Sequence, residues 1–271
     1  MKILNQNQKV NSYSSNLRKI EKQEQKNNER LSSGKKINKA SDNAAGLAIA
    51  DKLNALINGI GKGVNNTYDM QNALKTADGS LSTINDGLQR VRELTIQAAN
   101  DTLNDSDKQL IQNEINQTLA GINDMANYAQ FNGQNLLDGS FTDKNVAMNP
   151  DGSGTTVSIG SANVDSLGLG NFSVVGEQAN VDANINAIDR AMDSISTARV
   201  KIGAQINRFD YAIGSNTTAG LNTIISKSKI EDTDMAKESM KRKTNQALSQ
   251  YGIFAQKNKQ KSQYNMLSVL F

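Results

Sequence analysis

The side chains left for catalysis are carboxylates and lysines, because the 271-residue chain contains no His and no Cys. Their absence excludes disulfides, zinc sites built from those residues, and nucleophiles activated by an imidazole base. Asp105, Asp107 and Glu114 lie close together in sequence. The two aspartates suit the first turn of a helix better than acid–base work. We therefore predict no catalytic residue, no metal site, no cofactor and no enzymatic activity.

Two other patterns resemble ligand sites but lack their defining residues. The glycines at 59, 61 and 63 surround Lys62, yet no Gly-Lys-Ser/Thr follows and no apolar strand precedes them, as a phosphate loop requires. Four Asp-Gly pairs lack the alternating oxygen ligands of a calcium loop. In a helix, each of the three glycines weakens the structure by about 1 kcal/mol relative to Ala, which predicts local bending or fraying.

A long helix is predicted from residue 49 to residue 98, where apolar positions repeat every seven residues. This spacing is typical of the a and d positions of a coiled coil. At 1.5 Å per residue the helix would be roughly 75 Å long, which predicts an elongated protein. One column runs Leu53, Ile60, Thr67, Leu74, Leu81, Leu88 and Thr95, and the other runs Ile49, Leu56, Gly63, Met70, Ala77, Ile84, Val91 and Ala98.

Two further segments are predicted to supply partner helices. The first begins with Ser106 as N-cap and Gln109 three residues later, a capping box. Arg199 and Asn216 interrupt the second, and such polar residues fix helix register. The apolar face of the first is Leu110, Ile111, Ile115, Leu119, Ile122 and Ala126; the second has columns Ile188, Ile195, Ile202, Phe209 and Ile185, Met192, Ile206, Ile213.

Between these helical segments the composition changes to Gly, Asn, Asp and Ser. Val146 and Met148 precede the sequence NPDGSG, and Val157 and Ile159 follow it, which predicts a β-hairpin with a Pro-Asp-Gly turn. The sequence FNGQNLLDGSF predicts another tight turn. Residues 131–181 are therefore predicted to form a small β-region beside the helices.

Both chain ends are basic and weakly amphipathic. Residues 1–40 contain ten Lys and Arg against three Asp and Glu, and residues 226–271 contain nine against four. Such polar helices do not stay folded alone in water, which leaves frayed ends or segments that fold against other copies. The candidate assembly residues are Ile3, Val10, Leu17, Leu31, Phe254, Leu267 and Leu270.

Several long blocks of the sequence together resemble one known protein family. Residues 29–60 read ERLSSGKKINKASDNAAGLAIADKLNALINGI, and residues 74–100 continue as LKTADGSLSTINDGLQRVRELTIQAAN. Near the other end lie ARVKIGAQINRFDYAI and IEDTDMAKESM. In content and order these blocks resemble bacterial flagellins. The C-terminus lacks the Asn-Gln-x-Pro-Gln stretch usual in flagellins and carries three additional lysines, at positions 257, 259 and 261.

The resemblance implies a mainly α fold, an elongated coiled-coil rod with a small β-hairpin region and terminal helices that pair in a filament core. Residues 1–34 with 233–271 would form that core. Residues 44–130 with 182–225 would form the rod, and residues 131–181 would replace the variable outer domains of longer flagellins. The implied function is a structural subunit that polymerises into the flagellar filament for swimming motility, outside the cell.

The implied partners are many copies of the same chain, an export chaperone, the filament cap and the hook–filament junction proteins. Export through the flagellar type III channel fits an N-terminus without the apolar segment of a signal peptide, and no apolar run is long enough for membrane insertion. A host Toll-like receptor is a further implied partner. Its surface in the family matches Leu88, Gln89, Arg90, Leu94 and Glu114, with Leu88 interpreted as a packing residue and Arg90 and Leu94 placed one helical turn apart on one face.

The turn-rich region is the candidate region for glycosylation, since flagellins are often O-glycosylated there. Ordinary turn hydroxyls are an equally good interpretation of these side chains. The candidate residues are Ser140, Thr142, Ser153, Thr155, Thr156, Ser158 and Ser161.

Two other functions are compatible with parts of the pattern. A non-flagellar type III secreted filament or needle-like subunit would share the helical ends. A nucleic-acid-binding coiled coil would explain the basic ends and would bind DNA with strong salt dependence. The resemblance favours the flagellar function and predicts no nucleic-acid partner.

Overall fold

The computed structural model describes residues 2–175 and 181–267, with side chains described for residues 13–175, 181–262 and 264. The fold is mainly α with two short antiparallel strand pairs, as predicted. The elements are α1 Lys2–Ser33, α2 Ala44–Ala98, α3 Asp105–Tyr128, β1 Gln130–Phe131, β2 Gln134–Asn135, β3 Lys144–Ala147, β4 Gly154–Val157, α4 Val181–Glu231 and α5 Met235–Leu267.

The chain divides into two compact units. The terminal unit comprises Met1–Ala55 with Asn222–Phe271, and the central unit comprises Leu56–Leu221. The three-part division predicted from the sequence stays a prediction.

The predicted heptad seam of α2 is the core of the central unit. Every seam position from Ile60 to Ala98 is buried except Met70, which is half-buried. Thr67 and Thr95 are tolerated there because each hydroxyl donates to the carbonyl oxygen four residues earlier, at 2.7 Å. The seam does not extend to its first predicted positions, since Ile49 is 49% exposed and Leu56 is 37% exposed.

Helices α3 and α4 complete this core, with one predicted α4 column buried and the other half-buried except at Ile213. Ile188, Ile195, Ile202 and Phe209 are all buried in one cluster with the α2 seam. The polar interruption at Arg199 is satisfied across the helices, because its Nε lies 2.9 Å from Asp78 Oδ1.

The predicted start of α3 was wrong in two details. The N-cap is Asn104, whose side chain accepts a hydrogen bond from the backbone N–H of Asp107, so the helix begins before Ser106. Leu110 is not part of the buried face but is 67% exposed, while the neighbouring Ile111 is buried. One residue of rotation about the helix axis separates these two positions.

The two predicted turns are present. Strands β1 and β2 flank Asn132 and Gly133, which both have positive φ (50° and 75°), as a tight two-residue hairpin requires. Strands β3 and β4 pair antiparallel, with Lys144 opposite Val157 and Ala147 opposite Gly154.

Helix α2 is continuous through its three glycines, and the bending that they predict stays a prediction. Two of them lie against the turn that follows β3. A Cβ on Gly59 would lie 2.6 Å from the Cβ of Pro150, and one on Gly63 would overlap the carbonyl oxygen of Met148. Asn66 and Asn216 donate to the carbonyl oxygens of Ala147 and Met148, both at 3.0 Å. These glycines therefore allow the hairpin to approach the helix backbone.

We predict opposite effects for two glycine-to-alanine substitutions in this helix. Gly61→Ala should raise the free energy of unfolding by up to about 1 kcal/mol, because no atom would lie within 4 Å of the new Cβ. Gly63→Ala should lower it by about 1–3 kcal/mol, because the hairpin would have to shift. Urea unfolding followed by circular dichroism measures both. A stabilising Gly63→Ala would show that close approach is not the role of this glycine.

Candidate functional site

The contact between α1 and α5 in the terminal unit has a polar interior. Among the described side chains of these two helices, Asn27 and Glu238 are the ones classed as buried, at 6% and 3% exposure. A paired helix of a soluble protein normally buries an apolar stripe instead. Over its described side chains, the α1–α5 pair therefore has little apolar core of its own.

The buried carboxylate of Glu238 is held by donors from both helices. Its Oε1 lies 3.5 Å from Arg30 Nη1, and its Oε2 lies 3.1 Å from Lys241 Nζ. With the Asn27 amide oriented to suit its neighbours, Nδ2 donates to Glu238 Oε1 at 2.8 Å and Oδ1 accepts from Asn245 Nδ2 at 3.0 Å. Sliding either helix by one turn would leave these buried groups unpaired, so the network specifies register.

The large apolar side chains of α5 point to solvent. Tyr251 is 76% exposed and Phe254 is 63% exposed. Together these residues form an exposed apolar surface, spread over about 220° around the helix axis, that we call the α5 apolar face. Its members are Met235, Met240, Leu248, Tyr251, Ile253, Phe254 and Tyr264.

The predicted assembly residues fall into three groups. Phe254 belongs to the α5 apolar face. Leu17 and Leu31 are half-buried, and Leu17 lies so close to Gly252 that a Cβ there would be 2.7 Å from Leu17 Cδ2. The remaining four lie outside the description: the side chains of Ile3, Val10 and Leu267, and the whole of Leu270.

The segments joining these helices to α2 and α4 are tied together, which the sequence analysis did not predict. Gly34 has φ +72° and ends α1. Its carbonyl oxygen accepts from the Thr233 N–H at 2.9 Å, and the Lys36 N–H donates to the Glu231 carbonyl at 2.7 Å. Lys35 Nζ lies 2.6 Å from Glu231 Oε1, and this hydrogen bond raises the pKa of Lys35.

Asp42 organises the loop between α1 and α2. Its Oδ2 accepts from the backbone N–H groups of Asn38 and Lys39, and its Oδ1 lies 2.7 Å from Lys26 Nζ. The pKa of Asp42 is lowered to about 2. The hydrogen bond from Lys26 is the main cause, and the hydrogen bond from the Asn38 N–H is the second. At a pH well above this pKa of about 2, the Asp42 side chain is therefore ionised and holds the loop.

The predicted receptor residues lie in the central unit, where some of them are exposed and others are buried. Arg90 is exposed and pairs with α3, its Nη2 lying 2.6 Å from Glu114 Oε1; its Nη1 lies 3.2 Å from Glu93 Oε2. Gln89 is also exposed. Leu88 and Leu94 are buried, at 0% and 1% exposure.

The expectation that Leu94 shares an exposed face with Arg90 is therefore wrong, because Leu94 belongs to the core side of α2. Leu88 is a packing residue, as interpreted from the seam. We call Gln89, Arg90 and Glu114 the Arg90 ridge. The hydrogen bond to Glu114 is the main cause that raises the pKa of Arg90, and the hydrogen bond to Glu93 is the second. The guanidinium of Arg90 therefore stays charged.

The seven candidate glycosylation residues differ in the hydrogen bonds that their hydroxyl groups make. Ser140 and Ser153 donate to Asp138 and Asp151 at 2.7 Å, and these bonds lower the pKa of each carboxyl. The Ser158 hydroxyl accepts a hydrogen bond from the Asp143 N–H. The Ser161 hydroxyl accepts from the Asn163 N–H and from the Ser166 hydroxyl. In the described part of the chain, no hydroxyl hydrogen bond is made by the other three, Thr142, Thr155 and Thr156. These threonines are exposed or half-buried.

Within residues 2–175 and 181–267, no group of three or more acidic side chains converges as a metal site would require. Across the same residues, no helix is both long and apolar enough to cross a membrane.

Comparison with known proteins gives concordant results. The model of the bacterial flagellin N-terminal helical region matches residues 4–142, and that of the C-terminal helical region matches residues 185–270. Flagellin of Bacillus subtilis is 33% identical over 282 aligned residues, covering 91% of this chain and 92% of that protein. The flagellar filament 33 kDa core protein of Treponema phagedenis is 33% identical over 263, with the same coverage.

A solved structure shares the fold. It is described as a flagellar hook-associated protein of Vibrio parahaemolyticus, with a TM-score of 0.56 and 21% identity over 70% of this chain and all of that one. At this identity the comparison concerns the fold alone.

We predict that the Asp42 carboxyl titrates near pH 2. Because its folded pKa lies below the unfolded value of 3.8, its contribution to stability is present above about pH 4 and is lost as pH falls through 2. Lys26→Gln should raise this pKa but not restore it fully, since the backbone donors remain. A carboxyl NMR titration measures it, with Lys22→Gln as control. An Asp42 that titrates at 3.8 would show that the loop does not hold in solution.

Proposed function

Because the chain belongs to the bacterial flagellin family, we propose that many copies of it polymerise through their terminal helices into the filament of a bacterial flagellum. The protein is then a structural subunit, secreted and extracellular, with swimming motility as its role.

The α5 apolar face is the observation that carries this proposal. Seven large apolar side chains of one helix are at least 47% exposed, while that helix buries a carboxylate against α1. Exposed apolar area of this kind marks protein–protein contact sites. Several copies packing around an axis would cover it, and the polar network would set the register of each α1–α5 pair.

We propose the family division of the chain for the filament. Residues 1–34 with 233–271 would line the core, residues 44–130 with 182–225 would form the surrounding layer, and residues 131–181 would carry the outward β-region. The tied segments at Gly34 to Lys36 and Glu231 to Thr233 support a junction between the first two parts.

The α5 apolar face also needs cover before assembly. An export chaperone that binds it would keep the chain from premature association, and the filament cap and hook–filament junction proteins would be its other flagellar partners. Export through the type III channel follows from the same family relationship.

Ion pairing argues against the nucleic-acid alternative. Lys26, Arg30, Lys35 and Lys241 each lie within 3.5 Å of a carboxylate oxygen of the same chain. These cations are less available for phosphates than the charge count of the ends implies. Nothing in the structure favours a needle-like subunit over a flagellar one.

We propose that the Arg90 ridge is the surface a host Toll-like receptor would contact. Arg90 is exposed, and its pairing with Glu114 orients the guanidinium across α2 and α3. Leu88 and Leu94 would support this ridge from beneath rather than touch the receptor. An ordinary solvated ion pair is the alternative, and the receptor assay below distinguishes the two.

For glycosylation we propose the threonines of the β-region. Modification of Ser140 or Ser153 would remove the O–H donor that the neighbouring aspartate accepts. Thr142 and Thr156 are exposed and make no such bond among the described residues, so a glycan there would disturb no turn. The intact mass of native filaments, followed by peptide mapping, tests this assignment.

We predict that Phe254→Asp raises the critical concentration for polymerisation at least tenfold, because it places a charge on the α5 apolar face. Gln117→Asp is the control, since it adds the same charge at an exposed position of α3, in the central unit. Light scattering and negative-stain images give the critical concentration. Equal values for both variants and the wild type would reject the α5 apolar face as an assembly surface.

We predict that Arg90→Ala reduces receptor activation by monomer more than tenfold, because an arginine anchor both packs and hydrogen-bonds. Arg208→Ala removes an exposed arginine on α4 and is the control. A reporter-cell dose response measures activation, and circular dichroism verifies the helices. An unchanged dose response for Arg90→Ala would remove it as the anchor.

A further inference from the structure

Asn or Asp is followed by Gly at six places in the chain, and such pairs can react with themselves. The backbone nitrogen of the glycine can attack the side-chain carbonyl carbon of the residue before it, because no Cβ hinders the approach. An Asn is deamidated by this reaction, and an Asp is isomerised. The six pairs are Asn58-Gly59, Asp78-Gly79, Asp86-Gly87, Asn132-Gly133, Asp138-Gly139 and Asp151-Gly152.

Three of these pairs lie inside α2, where the attacking nitrogen is already engaged. In an α-helix each N–H donates to the carbonyl oxygen four residues earlier, and this holds for Gly59, Gly79 and Gly87. Attack on the preceding side chain would require local unfolding of a helix whose seam forms the core of the central unit. The helix therefore protects these three pairs.

The two Asp-Gly pairs of the β-region are protected by hydrogen bonds. The Oδ1 atom of Asp138 accepts from the Ser140 hydroxyl at 2.7 Å and from its N–H at 2.8 Å. Asp151 accepts from the Ser153 hydroxyl at 2.7 Å and from its N–H at 3.0 Å. Each carboxyl group is thus held against a serine and kept ionised, and an ionised carboxylate resists attack by a nucleophile.

The remaining pair, Asn132-Gly133, has neither protection. It forms the turn between β1 and β2, and both residues are exposed. Neither the Asn132 side chain nor the Gly133 N–H makes a hydrogen bond with any residue that the structure describes. A Cβ on Gly133 would have no atom within 4 Å, so water has access to this part of the turn.

The fold itself calls for this reactive pair. A tight two-residue hairpin needs positive φ at both central positions, and Asn followed by Gly is the preferred sequence there. The hairpin is short, since β1 and β2 pair only Gln130 with Asn135 and Phe131 with Gln134. Few strand contacts therefore oppose the local opening that brings the glycine nitrogen to the side chain.

We propose that Asn132 is a site of spontaneous deamidation, through attack of the Gly133 nitrogen on its side-chain amide. The reaction needs only water, and it is independent of the proposed filament function. It makes the turn between β1 and β2 the place where the folded chain changes covalently with age.

The reaction has two steps. Solvent base removes the proton of the Gly133 N–H, the nitrogen bonds to Asn132 Cγ, and Nδ2 takes up a proton and leaves as ammonia. Water then adds to either carbonyl carbon of the resulting cyclic imide, and the bond from that carbon to nitrogen breaks as the nitrogen regains a proton. Opening at Cγ gives aspartate, and opening at the backbone carbonyl gives isoaspartate.

The two products affect the hairpin differently, although both add a negative charge. Aspartate leaves the backbone unchanged, and Asp followed by Gly also suits this turn. Isoaspartate carries the backbone through its Cβ and Cγ, which lengthens the turn and disturbs the pairing of Phe131 with Gln134. The next anchor is Leu136, which is buried and whose N–H donates to the Ala129 carbonyl at 2.8 Å.

Peptide mass spectrometry of the unpolymerised full-length chain, aged in mildly alkaline buffer, compares three asparagines. Asn135 is exposed in the same hairpin but precedes Leu136, and Asn58 precedes Gly59 but lies in α2. Asn132 should lose its amide at least tenfold faster than either, since both the glycine and an accessible backbone are needed. A rate at Asn132 equal to that at Asn135 or at Asn58 would overturn the proposal.

A variant tests the attacking nitrogen. Gly133→Ala places a Cβ beside it and should slow deamidation of Asn132 at least tenfold. Gly152→Ala is the matched control, because it puts the same side chain at another turn glycine with positive φ and open space around it. It should leave the rate at Asn132 unchanged. Equal rates in the two variants would contradict attack by Gly133.

The product ratio gives a second measurement that does not depend on a variant. Fragmentation mass spectrometry distinguishes aspartate from isoaspartate in the peptide that contains position 132. Attack by the Gly133 nitrogen predicts a mixture of both, because the cyclic imide opens at either carbonyl. Aspartate alone would show direct hydrolysis of the side chain by water and would overturn the proposed route.

Discussion

The α1–α5 pair buries charge and exposes apolar surface, and the proposed assembly depends on this inversion. Arg30 and Asn27 bind the Glu238 carboxylate between the helices, while Phe254 and Tyr251 face outward. Burying a paired carboxylate contributes little net stability, but it penalises every other register because unpaired groups would remain. The pair is thus well specified, and its apolar area is left for neighbouring copies.

The central unit follows the opposite rule and has a conventional apolar core. The apolar seam of α2 from Leu74 to Ala98 packs in one cluster with α3, α4 and the β-region. Gly59 and Gly63 let the turn after β3 lie against the helix backbone. This core gives a fixed position to the Arg90 ridge. The polar α1–α5 pair therefore leaves apolar surface for other copies, while the apolar core of the central unit holds its own surface residues in place.

The seven-residue periodicity correctly predicted which sides of the long helices are buried. It was wrong where a shift of one residue, about 100° around the helix axis, decides whether a side chain is buried or exposed. The heptad columns of α2 and α4 and both hairpin turns follow from spacing and turn chemistry. Leu110 and Leu94 were misplaced because an exposed and a buried position are neighbours on a helix. Ser106 and Asn104 are both good N-caps, so composition alone does not choose between them. The Glu238 network joins residues about 210 positions apart, and local pattern carries no signal for it.

Methionine oxidation tests most directly whether other copies cover the α5 apolar face. Met240 is 63% exposed in the single chain, while Met125 of the central unit is half-buried and serves as the internal reference. Dilute peroxide converts exposed methionine to its sulfoxide, which peptide mass spectrometry quantifies. We predict that polymerisation slows oxidation of Met240 at least tenfold relative to Met125. An equal rate in monomer and filament would contradict it.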